Sequence, residues 1–127
     1  MLSPFGVRAI RAGSCQEAQT CIQTVPVHLA VVDLDIPLAQ PGPEPGGVRL
    51  LEILARLSAP PPTIVVKRSH SHRDDRREIA AALRAGAFAV VERPRSQRDT
   101  ELVLEVFRRL LGRYYRGQWP ASPPPNA

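Results

Sequence analysis

Residues 28–37 read His-Leu-Ala-Val-Val-Asp-Leu-Asp-Ile-Pro. Its apolar residues run directly into Asp33, without the apolar–polar alternation of a half-exposed strand. A near-continuous apolar run is what a strand buried on both faces of a parallel sheet requires. We therefore expect a buried parallel strand over 28–32 with Asp33 at its carboxyl end.

Similar short apolar runs lie on either side of this stretch, and segments of helical period separate them. Alternation of this kind is typical of a parallel sheet covered by helices, and it predicts an α/β domain of three layers with about four strands and four helices. Gly86 suits the left-handed turn that ends a helix. The other expected strands cover 6–10, 63–66 and 88–91, and the expected helices run from Ser14 to before Pro26, over 48–57, from about Asp75 to Ala85, and over 98–116.

Length and composition indicate one globular domain. The chain has 127 residues, and we expect a domain over 1–117 followed by a proline-rich flexible tail over 118–127. It contains no apolar run of membrane-spanning length and no signal-peptide core, so a cytoplasmic location is expected.

The charge and the motifs of the sequence bear on two classes of function, nucleic-acid binding and catalysis. The net charge is +5, but the basic residues are spread over several expected helices, so a dedicated nucleic-acid site is not expected. A basic nucleic-acid-binding protein is nevertheless kept as a rival hypothesis. A Gly-rich phosphate loop, a nucleophile–base pair and a metal cluster are all missing from the sequence, so we expect no enzyme.

Polar residues follow three of the expected strands. They are Asp33, the segment 67–71 and Arg93. Because parallel strands place their carboxyl ends at one edge of the sheet, these residues should converge there.

Three segments together resemble the receiver domain of bacterial two-component response regulators. Residues 31–37, Val-Val-Asp-Leu-Asp-Ile-Pro, are similar to the family's acceptor aspartate, three residues and a proline. Residues 47–51 resemble the start of the next helix, and residues 85–94 resemble the family's Ala-Gly-Ala run through its last strand to Lys-Pro. The resemblance covers roughly residues 5–111.

The resemblance implies a flavodoxin-like fold and a phosphorelay signalling role. It implies that Asp33 is the phosphoacceptor, with Arg93 at the position of the family's lysine. Ser69, or as second choice Ser71, stands for the hydroxyl that binds the phosphoryl group. A magnesium ion would use the Asp33 carboxylate and the backbone carbonyl of Asp35.

Only 32 residues precede Asp33, which leaves room for one strand and one helix where the family has two of each. We expect the family's first strand and helix to be missing, and its acidic metal-binding pair with them. Magnesium binding should therefore be weak. The sequence favours a degenerate receiver-like module that acts through protein contacts, with a phosphorylation-competent receiver as the alternative.

The missing first strand and the family resemblance also predict partners. A sheet without its first strand leaves backbone donors and acceptors open at an edge, so a homodimer is expected. The resemblance also implies a histidine kinase or another signalling protein as partner.

Overall fold

Helices and strands alternate along the chain in a computed structural model, which describes residues 8–68 and 71–115, with Tyr114 described in its backbone only. The elements, in chain order, are α1 (Cys15–Thr24), β1 (Ala30–Asp33), α2 (Gly47–Ala55), β2 (Thr63–Lys67), α3 (His72–Arg84), β3 (Ala89–Glu92) and α4 (Gln97–Tyr114).

The three strands of the described residues form one parallel sheet in the order β1-β2-β3. Asp33 pairs with Val66 across β1 and β2, and Lys67 pairs with Glu92 across β2 and β3. The carboxyl ends of all three strands therefore lie at one edge of the sheet. In this part of the chain β1 is an edge strand, and its Val31 side chain is exposed.

The hydrophobic core of residues 11–93 joins the sheet to the helices. Its side chains come from Val32 and Val65 in the strands and from the leucines of α2. Helix α2 contacts both α1 and α3, and Ala82 of α3 is completely buried in the same cluster. The expected apolar runs thus form the three strands, but β2 is the one buried along most of its length, whereas β3 is half-buried and Val31 of β1 is exposed. The expectation that the strand before Asp33 is buried on both faces is wrong, because β1 lies at an edge of the described sheet.

Two glycines occupy positions at which the backbone turns tightly or approaches another segment closely. Gly86 has a φ of +113°, which confirms the expected left-handed turn after α3. Gly47 begins α2 so close to the Leu34 carbonyl that a Cβ atom would collide with it. This close approach seats the loop after Asp33 directly against the start of α2.

The expected strand over 6–10 is not found where the structure describes it. Residues 8–10 are not in a strand, and residues 6 and 7 lie outside the described residues. Ile10 is the one large apolar residue among the three, and it is exposed. With so little burial to offset the entropy of ordering the backbone, a strand has no driving force here. The described sheet accordingly has three strands rather than about four.

A second unit contains α4 and, among the described residues, 8–10 and 94–115. Ser96 caps this helix, because its hydroxyl accepts a hydrogen bond from the Asp99 N–H at 3.1 Å. Phe107 and Leu111 are buried, whereas Leu102 and Val106 are exposed. The expected tail, residues 118–127, lies outside the described residues. Within the described part of the chain, no helix is both long and apolar enough to cross a membrane.

Candidate functional site

Asp33 ends β1 at the carboxyl edge of the sheet. Its Oδ1 accepts a hydrogen bond from the backbone N–H of Asp35 at 2.9 Å, which closes a tight turn after the strand. The carboxylate remains 43% exposed. The end of β1 and the turn after it therefore hold a partly exposed carboxylate in a fixed orientation.

Arg93 follows β3 and contacts Asp33 from the opposite edge of the three described strands. Its backbone N–H donates to the Lys67 carbonyl at 2.8 Å, which continues the pairing of β2 and β3 by one residue. Its guanidinium donates to Asp33 Oδ2 in an ion pair across the end of the central strand. Both carboxylate oxygens of Asp33 are thus engaged, one by a backbone N–H and one by an arginine.

A second ion pair lies beside the first. The Arg68 Nε atom is 3.4 Å from Asp35 Oδ2, and both side chains are largely exposed. Two carboxylates and two guanidiniums from three strand ends therefore neutralise one another at this edge.

Lys67 forms a buried ion-pair cluster that the sequence analysis, which placed it only in the polar segment 67–71, did not predict. Its side chain is only 4% exposed at the end of β2. The ammonium donates to Asp75 Oδ1 at 2.6 Å and lies 3.3 Å from Glu78 Oε1, both on α3, and it also donates to the Arg68 carbonyl at 2.5 Å. Burial lowers the pKa of Lys67, but the hydrogen bonds to Asp75 and Glu78 outweigh it, so this pKa is raised above its ordinary value.

Of the two expected serines, Ser71 is the one among the described residues. Ser69 lies outside the described residues. Ser71 is the N-cap of α3, and its hydroxyl accepts from the Asp74 N–H at 3.2 Å. A phosphoryl-binding role for either serine stays a prediction. The residue that ends β2, where the resembling family places its hydroxyl, is Lys67.

A magnesium ion does not fit the edge as the side chains stand. Magnesium takes oxygen ligands in a near-octahedral shell and binds through one or two carboxylates. The carboxylates on offer, Asp33 and Asp35, are each paired with a guanidinium. The described residues contain no cluster of three or more side chains suited to a metal. Metal would have to displace arginine before binding.

No protein-family model matches the chain, and no curated protein sequence matches it. Solved structures do match the chain. The crystal structure of the receiver domain of NtrX from Brucella abortus aligns with a TM-score of 0.62 at 22% identity, over 86% of this chain and 82% of that one. Another crystal structure of NtrX from the same organism aligns with a TM-score of 0.66 at 20% identity, over 89% of this chain.

The chain spans about a quarter, 24%, of the length of that second NtrX structure. These likenesses confirm the expected fold class: the chain has the flavodoxin-like α/β fold of a receiver domain.

Proposed function

We propose that this chain is a receiver-like signalling module that acts through protein contacts and not by catalysis. The observation that carries the proposal is the ion pair between Asp33 and Arg93, formed on a receiver fold at the site of the expected acceptor.

The ion pair opposes the chemistry of a phosphoacceptor. To form an acyl phosphate, an Asp33 oxygen must attack phosphorus while nearby cations neutralise the charge that develops. A guanidinium such as that of Arg93 binds carboxylates through a planar fork. An incoming phosphoryl group must therefore compete with Asp33 for the same cation. This competition favours a degenerate module in which Asp33 stays paired with Arg93 and does not accept a phosphoryl group.

The alternative is a receiver that is competent for phosphorylation. Its support is the exposure of the Asp33 side chain, at 43%, and of the Arg93 side chain, at 41%. Exposed ion pairs contribute roughly 0–1 kcal/mol, so the pair can open at small cost. In this alternative Arg93 turns from Asp33 to the phosphoryl group.

The partners proposed are a second copy of the chain and a signalling protein such as a histidine kinase. For the second copy, the support is the edge strand β1, which exposes Val31 within the described residues. Unpaired strand edges readily pair with another chain.

Exposure to a small phosphodonor, acetyl phosphate with magnesium, tests the proposal. Intact-mass measurement should find no more phosphoryl transfer to the wild-type chain than to Asp33→Asn. Arg93→Lys, which restores a compact ammonium, is the matched variant and should accept phosphoryl more readily than the wild type. Stoichiometric labelling of the wild type that is lost in Asp33→Asn would establish the alternative.

A further inference from the structure

Helix α3 has its charges sorted by sign. Asp75 and Glu78 contact the buried ammonium of Lys67, and each is less than one-third exposed. The buried residue of this helix, Ala82, lies on the same side, because it follows Glu78 by four residues and Asp75 by seven. The inward side of α3 therefore holds two of its three acidic residues, and Asp74 is the one left exposed.

The arginines of α3 lie on the outward side. They are Arg73, Arg76, Arg77 and Arg84, all of them exposed, and no ion pair joins any of them to another residue in the described part of the chain. An α-helix turns by about 100° per residue, which places Arg73, Arg77 and Arg84 within about 40° of one another and roughly opposite Ala82. These three form a row of positive charge about 16 Å long, with Arg76 beside it.

A further arginine stands at the C-terminal end of this row. Helices α2 and α3 end side by side, since a Cβ atom placed on Gly86 would lie 3.1 Å from the Ala55 Cβ atom. Arg56 directly follows Ala55, is exposed, and forms no ion pair within the described residues. The basic residues are spread along the sequence, but the packing of α2 beside α3 brings these arginines to one surface.

An exposed aromatic residue, Phe88, follows the same end of α3. It is 57% exposed. Its backbone is held in place, because its N–H donates to the Thr63 carbonyl at 2.8 Å and the Ala87 N–H donates to the Ala82 carbonyl at 3.0 Å. A phenylalanine on a fixed backbone offers a ligand a flat apolar face at little entropic cost.

We infer that Arg56, Arg73, Arg77, Arg84 and Phe88, which we call the α3 basic track, bind single-stranded nucleic acid. Phosphates of successive nucleotides pair with the guanidiniums along the row, and a base stacks on the aromatic ring at its end. Each nucleotide carries one negative charge and one flat base, so a single strand complements both parts of the track. A double helix keeps its bases stacked inside, and an acidic protein segment carries charge without bases.

This inference goes beyond the proposed function, since it needs no protein partner and does not involve the carboxyl edge of the sheet. Fluorescence anisotropy with a labelled single-stranded oligomer of about twelve thymidines tests it. The full chain should bind this probe in low salt, with an affinity that falls steeply as the salt concentration rises. Arg73→Glu/Arg77→Glu/Arg84→Glu should weaken binding by at least about tenfold. Phe88→Ala should weaken it by about fivefold, whereas Phe88→Trp, which keeps a stacking face, should retain it.

The matched control reverses three exposed arginines outside the track, Arg95→Glu/Arg98→Glu/Arg113→Glu, and should weaken binding by less than about threefold. Melting curves establish that each variant is folded. Equal losses in the two triple variants would overturn the inference in favour of net charge alone. A dissociation constant above about 100 µM in low salt would overturn it outright.

Two competitors identify the class of ligand. Double-stranded DNA that displaces the probe as well as an unlabelled single strand does, together with no effect of Phe88→Ala, would overturn the assignment to single strands. A glutamate-rich peptide that displaces the probe more effectively than the unlabelled oligomer would make the occupant an acidic protein segment and overturn the nucleic-acid assignment.

Discussion

Replacing Lys67 with methionine isolates the buried ion pair at the end of β2. Methionine keeps an unbranched apolar stem of similar length, so the substitution removes the ammonium with little change in packing. Asp75 and Glu78 then lose the cation that each contacts, at 2.6 and 3.3 Å. The N-terminal half of α3 should lose the attachment that these ion pairs give it to the end of β2.

The magnitude follows from how much water reaches each partner. Removing one member of a fully buried ion pair costs about 3–5 kcal/mol. Lys67 is 4% exposed, but the Asp75 and Glu78 side chains are 24% and 29% exposed and are partly solvated after the change. We therefore expect a loss of about 2–3 kcal/mol in the free energy of unfolding. In a domain of this size the melting temperature should fall by about 6–15 °C.

Urea unfolding followed by circular dichroism measures this loss. The control is Lys67→Met combined with Asp75→Asn and Glu78→Gln, which removes the carboxylate charges as well. It should recover a large part of the stability, because neutral side chains cost less to leave without an ammonium than carboxylates do. A loss below about 0.5 kcal/mol in Lys67→Met, or no recovery in the triple variant, would refute the reasoning.

The same comparison has a defined pH dependence. The pKa of Lys67 is raised in the folded chain, so the wild type's advantage is fully present below the unfolded lysine pKa of 10.5. It should be lost as the pH rises through the higher folded pKa. The stability difference between wild type and Lys67→Met should therefore be constant near neutral pH and shrink in strongly alkaline solution. A stability difference that grows with rising pH would contradict the raised pKa of Lys67 in the folded chain.

Three further predictions concern the sheet edge. Asp33→Asn and Arg93→Gln should each change the free energy of unfolding by less than about 1 kcal/mol in urea titrations, because the pair is exposed; a loss above about 2 kcal/mol would make it structural. Calorimetry should detect no magnesium binding below millimolar concentrations. Binding at tens of micromolar that is lost in Asp33→Asn would show that the paired carboxylates do accept magnesium. Sedimentation equilibrium should find a homodimer at micromolar concentration that Val31→Lys dissociates, and a wild type that stays monomeric at hundreds of micromolar would show that the β1 edge is not an interface.

The apolar patterns determined the central part of the fold. The runs before Asp33, over 63–66 and over 88–91 form strands β1, β2 and β3. The apolar runs located the strands but did not show which faces are covered, because β2 alone among the three is buried along most of its length. Their boundaries moved by one or two residues, since strand ends depend on pairing with neighbours that no local pattern contains. The segment over 6–10 is as long as the others, but Gly6 and Arg8 interrupt its apolar residues.

The sequence also located the convergence of Asp33 and Arg93, because parallel strands bring their carboxyl ends together whatever the intervening chain does. It did not reveal Lys67. A lysine at the end of an apolar run reads as the first loop residue, and burial of a lone lysine is rare unless it is paired. The available signal was Asp75 and Glu78, three residues apart on the following helix and therefore on one face of it. Recognising that signal required knowing that this face turns towards the end of β2.

The described charges at the carboxyl edge of the sheet are paired within the chain. Among the described residues there, Arg93 is matched by Asp33, Arg68 by Asp35, and Lys67 by Asp75 and Glu78. An anionic ligand that contacts one of these cations must first displace a carboxylate of the same chain. A receiver fold is therefore compatible with an edge at which Asp33 is already held by a cation of its own chain.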